Sequence, residues 1–315
     1  MKRHLSVLLI LLLSLSLFTA CGAPEEKPDG LTVVTTIFPV YDWVMNVLGD
    51  KAQDASVTML LDSGVDLHSF QPTADDLVKI SSCDLFVFVG GESDEWAEDA
   101  LKSLGGDTRV LRLTEVLGDA LYMEETVEGM EAEEEEEPEY DEHIWLSLQN
   151  AAVCCRAIAQ KLGEADAPHA AAYTANAEAY AEKLGALDTQ YADAVKNGSV
   201  KTLLFADRFP FRYLTEDYGL SYYAAFSGCS AESEASFETI AFLADRVSGL
   251  GLKTILTLEG SDGKIAQTVL NTSQTDAAIR AMDSMQSVTA EDVKAGVSYL
   301  AIMEKNLAVL KEALA

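Results

Sequence analysis

Short β-branched or apolar runs alternate with helical stretches twice along this chain, and that double alternation most limits what it folds into. In the first series, residues 31–37 read as a strand closed by Phe38-Pro39, and residues 40–48 as a helix stopped at Gly49. Strands at 55–61, 85–89 and 109–113 follow, interleaved with a helix capped by Thr73–Asp76 and another at 95–104. The second series has strands at 200–206, 222–226, 253–258 and 277–282. Helices at 211–218, 237–247 and 264–270 separate them, and Thr289 and Asp292 cap a final helix to the C-terminus. Alternation at this pitch predicts α/β lobes with mainly parallel sheets covered on both faces by helices.

Between the two series, residues 165–197 are rich in Ala, Glu, Tyr and Leu and read as one long helix, or two in line. The expected organisation is an N-terminal lobe over 31–164, a rigid linker helix over 165–198 and a C-terminal lobe over 199–315. A length of 315 residues suits two such domains.

Charge narrows the partners. With 22 Lys and Arg against 52 Asp and Glu, the formal charge is −30, while 49% hydrophobic residues exclude a wholly disordered chain. Such a surface repels phosphate backbones, so nucleic acid is excluded and cations are favoured. Residues 124–142 carry twelve acids and no base, and are expected to form a solvated, mobile loop.

Lys2 and Arg3 precede an apolar run over residues 5–18 and then Thr19-Ala20-Cys21-Gly22, the pattern of a secretory signal over residues 1–20. The run falls short of the ~20 residues needed to span a bilayer. Phe18-Thr19-Ala20-Cys21 resembles a bacterial lipobox, in which Cys21 is lipidated and residues 21–30 form a tether. Export permits disulfides among Cys83, Cys154, Cys155 and Cys229, but four cysteines allow three pairings, and no function is assigned to them.

Three histidines lie beyond the leader: His68, His143 and His169. His68 sits where a strand hands over to a capped helix, the edge at which open α/β sheets bind ligands, although local grounds alone favour a loop histidine without a task. His143 follows the acidic run and reads either as a protonated surface residue or as a ligand, since imidazole and carboxylate suit Zn²⁺ and Mn²⁺. His169 is expected to face solvent. Asp207, Glu259 and Asp283 stand at strand ends of the second series and are the candidate carboxylates.

In combination, several segments resemble one family. Thr35-Thr36-Ile37-Phe38-Pro39-Val40-Tyr41-Asp42 is similar to its opening strand and helix, and Asp66-Leu67-His68-Ser69-Phe70-Gln71-Pro72-Thr73 to its D-P-H-S-F-E-P-T stretch. Asp141-Glu142-His143-Ile144-Trp145-Leu146 resembles D-P-H-x-W-L, and Gly91-Glu92 with Glu95-Trp96 resembles G-x-x-x-E-x-W. The family is that of zinc- or manganese-binding solute-binding lipoproteins of ABC importers (cluster A-I, ZnuA-like).

The resemblance implies a divalent ion held between two lobes by His68 and His143, with Asp283 matching a final-strand aspartate. A third ligand is implied five residues before Tyr213, which is Arg208, a side chain without a free lone pair. The adjoining Asp207 is the expected third ligand, the alternative being that Arg208 occupies the position and the site has lost a ligand. The acidic run stands where zinc-binding members carry a charged loop. Four protein ligands leave no open position for an activated water, so carriage is implied rather than catalysis. The expected cargo is zinc, with manganese second, and the expected partner an ABC permease. The expected chain is a monomer outside the cytoplasm, anchored to the cell membrane by lipid. A metal-containing adhesin and a secreted metallohydrolase are the alternatives.

Overall fold

The computed structural model describes residues 30–104, 108–131, 139–230 and 234–315. The leader, Cys21, its tether and the run Glu133 to Glu137 lie outside the described residues.

Strands β1 (Leu31–Thr35), β2 (Ala55–Met59), β3 (Leu85–Phe88) and β4 (Arg109–Arg112) form a parallel sheet in the order β2-β1-β3-β4. Strands β5 (Thr202–Phe209), β6 (Ser221–Ser227), β7 (Thr254–Leu258) and β8 (Ala278–Met282) form a second parallel sheet, β6-β5-β7-β8. The sheets therefore share one topology. Every residue of β3 is fully buried, as a parallel strand covered on both faces requires. Strand order reverses beside β1 in one sheet and beside β5 in the other, which opens a crevice at the carboxyl ends of the strands.

Helices α1 (Phe38–Leu48), α2 (Ala74–Ser82), α3 (Glu95–Leu104), α4 (Leu113–Leu117) and α5 (Leu148–Ala165) belong to the first half. Thr73 starts α2 with a capping box, its hydroxyl accepting from the Asp76 amide while Asp76 accepts from the Thr73 amide. The linker is α6 (Ala170–Asn197), 28 residues or about 42 Å long. It is separate from α5: the turn Ala167–His169 intervenes, where Asp166 accepts from His169 Nδ1 (2.7 Å) and the Tyr173 hydroxyl (2.5 Å).

The buried stripe of α6, from Tyr173 through Tyr180, Leu184 and Leu187 to Val195, recurs at helical spacing. Two of its tyrosines reach opposite lobes. Tyr180 donates to Asp42 Oδ2 on α1 (3.1 Å), and Tyr191 to the Met303 carbonyl (2.7 Å) on α11 (Tyr299–Ala313). One apolar cluster accordingly runs through both lobes and includes Trp43, Trp145, Tyr191 and Tyr299. A second cluster, with Leu204, Phe226, Leu243 and Val247, packs the outer face of the second sheet beneath α8 (Phe237–Gly249) and α9 (Lys264–Ser273).

Two expectations are corrected. The single final helix is two, α10 (Ala290–Lys294) and α11, because Gly296 turns at φ 92° and Ser298 caps a new start. The described flanks of the acidic run are loop with exposed acids, but they are anchored to the second lobe rather than wholly solvated. Glu125 pairs with Arg212 of α7 (Arg212–Tyr218), Glu128 with Arg246 (3.2 Å), and the Glu131 amide donates to the Ala225 carbonyl (2.9 Å). Asp141 and Glu142 are buried. No described helix is long and apolar enough to cross a membrane.

Candidate metal centre

The loop after β2 ends in the 3-10 turn Leu67–Ser69, started by Asp66, whose carboxylate accepts from the His68 amide (3.1 Å). That turn carries the His68 imidazole into the crevice. After β3 the chain passes through Gly90 and Gly91, both at positive φ. A Cβ at Gly91 would lie 2.8 Å from Glu142 Oε2, so only glycine admits that carboxylate.

Glu142 is gripped by Ser93, whose amide donates to Oε2 (3.2 Å) and whose hydroxyl donates to Oε1. His68 Nδ1 stands 3.1 Å from Glu142 Oε1 and 2.7 Å from Ser93 Oγ. His143 is likewise backed: its amide and its Nδ1 both point at Asp141 Oδ1, at 2.8 and 3.0 Å. A carboxylate only accepts, so each Nδ1 carries a proton, and in the neutral ring Nε2 then holds the lone pair. Carboxylates in this position fix the tautomer and orientation of metal-binding imidazoles.

Both Nε2 atoms are buried and have no hydrogen-bond partner among the described residues. Ring centroids of His68 and His143 are 5.4 Å apart. Electrostatics favour positive charge here. Burial pushes the pKa of His143 down, but Asp141 and Glu142 outweigh it and hold it above the ordinary value. Burial pushes Glu142 up, yet the hydrogen bond from His68 and the two imidazoles hold it below the usual carboxylate range.

Cys229 is the third member. It follows β6 and Gly228, and its sulfur and one ring nitrogen of each histidine all lie within 4.8 Å of one another. A Cβ at Gly228 would lie 3.0 Å from His143 Cε1, so this loop packs directly on the imidazole. A cavity of about 780 Å³ opens above the cluster, lined by Asp66, His68, Ser93, Asp207, Arg208 and Cys229 among others.

The structure brings His68 and His143 together and leaves Asp207 and Asp283 outside that cluster. β5 does not end before Asp207 but continues to Phe209, with a bulge between Phe205 and Arg208. There Asp207 accepts from the amides of Arg208 (2.9 Å) and Leu258 (3.2 Å), tying β5 to β7. Asp283 accepts from the Met285 amide (2.8 Å), and burial pushes its pKa up. Glu259 accepts from the hydroxyl and amide of Ser284 at 2.6 and 2.7 Å and is pushed up to about 7 by burial and by Asp283. Arg208 donates to Asp66 Oδ2 (2.7 Å), joining the lobes across the crevice.

Sequence reasoning missed Cys229, Glu142 and Ser93. Cys229 stands at a strand end like the aspartates and was open to the same argument. Glu142 and Ser93 carry no local signal, since their partnership depends on a fold contact 49 residues apart.

Known proteins resemble the chain along nearly its whole length. Zinc-binding lipoprotein AdcA of Streptococcus pneumoniae is 32% identical over 316 residues, covering 98% of this chain and 61% of that protein. The chain thus spans about three fifths of that relative. The high-affinity zinc uptake system protein ZnuA of Bacillus subtilis is 28% identical, covering 93% of this chain and 90% of that one. The crystal structure of the Zn(II)-bound ZnuA-like domain of S. pneumoniae AdcA superposes with a TM-score of 0.72 at 29% identity, covering 90% of this chain and 99% of that domain. The family described as ZnuA, zinc-uptake complex component A, periplasmic, matches residues 33–313. This chain belongs to the ZnuA family.

Proposed function

We propose that the protein captures zinc outside the cytoplasm on His68 and His143, between its two lobes, and hands it to an ABC permease. It works as a monomer, held to the membrane by lipid on Cys21, and it is a carrier rather than an enzyme. The observation that carries this reading is the pair of buried Nε2 lone pairs, each on an imidazole whose other nitrogen is held by a carboxylate. Two buried lone pairs on neighbouring imidazoles call for a Lewis acid or a proton donor, and the described residues supply no donor to either. The names of the relatives, zinc-binding and zinc-uptake proteins, support zinc over manganese. Asp207 and Asp283, engaged by backbone amides, act in this reading as supports for the strand ends around the site.

Competitive titration with a zinc chelator tests it. The wild type is expected to hold a single zinc ion, and His68→Ala and His143→Ala each to lose affinity by about 100-fold or more. Cells lacking the protein are expected to take up less zinc at low supply, and Cys21→Ala is expected to release the chain from the membrane fraction. Unchanged zinc uptake, with manganese bound more tightly than zinc, would overturn the assignment.

A further inference from the structure

We propose that the Cys229 sulfur is the third protein donor to the captured ion, giving a site of two imidazoles and one thiolate. The proposal rests on the zinc-capture reading above and adds a donor that the sequence pattern places elsewhere.

Three observations support it. Sγ shares the 4.8 Å cluster with one nitrogen from each imidazole. Donors on one tetrahedral zinc, bound at ~2.0–2.3 Å, stand about 3.3–3.6 Å apart, so small side-chain movements close the set. His143, a fully buried member of the same cluster, has an Nε2 without a hydrogen-bond partner among the described residues. The position that the family resemblance marks for a third ligand is held by Arg208, whose charge is engaged with Asp66.

The alternative roles of the cysteine are weak. It is not in a disulfide, and among the described residues its sulfur meets only carboxylates as hydrogen-bond partners, Glu142 Oε1 at 3.9 Å and the side chain of Glu124. A thiol beside two imidazoles and a carboxylate becomes well matched to its surroundings once it loses its proton to solvent and a divalent cation takes that place. Binding then converts Zn²⁺, two neutral imidazoles and a thiol into the complex and one released proton. A single thiolate leaves the ion one net positive charge, which Asp141 and Glu142 face from behind the imidazoles. Soft sulfur disfavours Mn²⁺ and favours zinc.

Cobalt substitution of the purified full chain reads the bond directly. Co²⁺-loaded wild type is expected to show a sulfur-to-metal charge-transfer band in the near ultraviolet. Cys229→Ser should still bind cobalt without that band, with zinc affinity reduced by ~100-fold and discrimination against manganese reduced. Zinc should also shield Cys229 from alkylation mapped by mass spectrometry, a readout on the wild type that does not depend on a variant folding. The other described cysteines, Cys83, Cys154 and Cys155, are buried and serve as internal controls. Zinc bound with no charge-transfer band, no shielding, or a loss confined to Asp207→Ala would overturn the thiolate donor and leave zinc capture standing. A wild type that binds neither zinc nor cobalt would sink both.

Discussion

Arg208 of the second lobe holds Asp66 of the first, its Nη2 2.7 Å from the carboxylate Oδ2. The other oxygen of Asp66 accepts from the His68 amide (3.1 Å), so the arginine bears on the turn that presents the imidazole. Burial raises the pKa of Asp66, but Arg208 outweighs it and keeps the carboxylate ionised. Both side chains are partly exposed, so Arg208→Ala is expected to lower stability by less than ~1 kcal/mol. Zinc release into excess chelator should accelerate, by about three- to tenfold if ~1 kcal/mol of bound-state order is lost. Stopped-flow release measured on both proteins decides this, and equal rates would show that the bridge does not bear on the site.

Glu142 orients His68 through Nδ1 and lies within reach of Cys229. Glu142→Gln keeps the shape and removes the charge. Zinc affinity should fall by ~10–100-fold, the range for outer-shell partners of metal ligands, while the unfolding midpoint of the metal-free chain changes little. Competition against a chelator together with a thermal melt separates the two effects.

Gly228 is not at positive φ, so a methyl there is opposed by packing rather than backbone strain: His143 Cε1 and the Phe209 carbonyl oxygen at 3.0 Å and His143 Nδ1 at 3.2 Å. Gly228→Ala should displace either the imidazole or the Cys229 loop. Overpacking of this kind costs ~1–3 kcal/mol, which corresponds to about tenfold or more in zinc affinity if the bound geometry absorbs it. Gly219→Ala, at φ 65° with open space around it, controls for backbone strain remote from the cluster.

Stability should carry a pH signature away from the metal centre. Burial pushes Asp42 up to about 6, against the hydrogen bond from Tyr180, and pushes Asp217 up to about 6, against the one from Ser147. An acid with a raised native pKa binds more protons folded than unfolded between the two values, so its contribution falls as pH rises from about 4 to about 6 and then levels. Asn at position 42 still accepts from Tyr180. The stability of Asp42→Asn relative to wild type should therefore rise by roughly 1–3 kcal/mol between pH 4 and pH 7. Urea unfolding at the two pH values measures it, and a pH-independent difference would contradict the buried, raised acid.

Much of the fold was legible because its signals are local. The apolar runs of β3 and β7 and the capping box at Thr73 each lie within a few residues of sequence. What escaped depends on contacts across the chain. The bulge that extends β5 past Asp207 belongs to the pairing with β6, and the burial of Asp141 and Glu142 to contacts with distant residues such as Tyr213 and Ser93. His68 and His143 were readable as candidates from their settings. Their carboxylate partners were half readable: Asp141 sits two residues from His143, whereas Glu142 serves the other histidine, 74 residues away by numbering.

The common strand order of the two sheets has a consequence for how such proteins diversify. Each lobe offers side chains from the ends of separate strands, and α6 keeps the spacing between lobes whichever strand end is used. One half can keep its imidazoles while the other trades a residue at the tip of β5 for one at the tip of β6. If the proposed donor set holds, a substitution or two at such tips is expected to retune which cation is accepted, with the scaffold beneath unchanged.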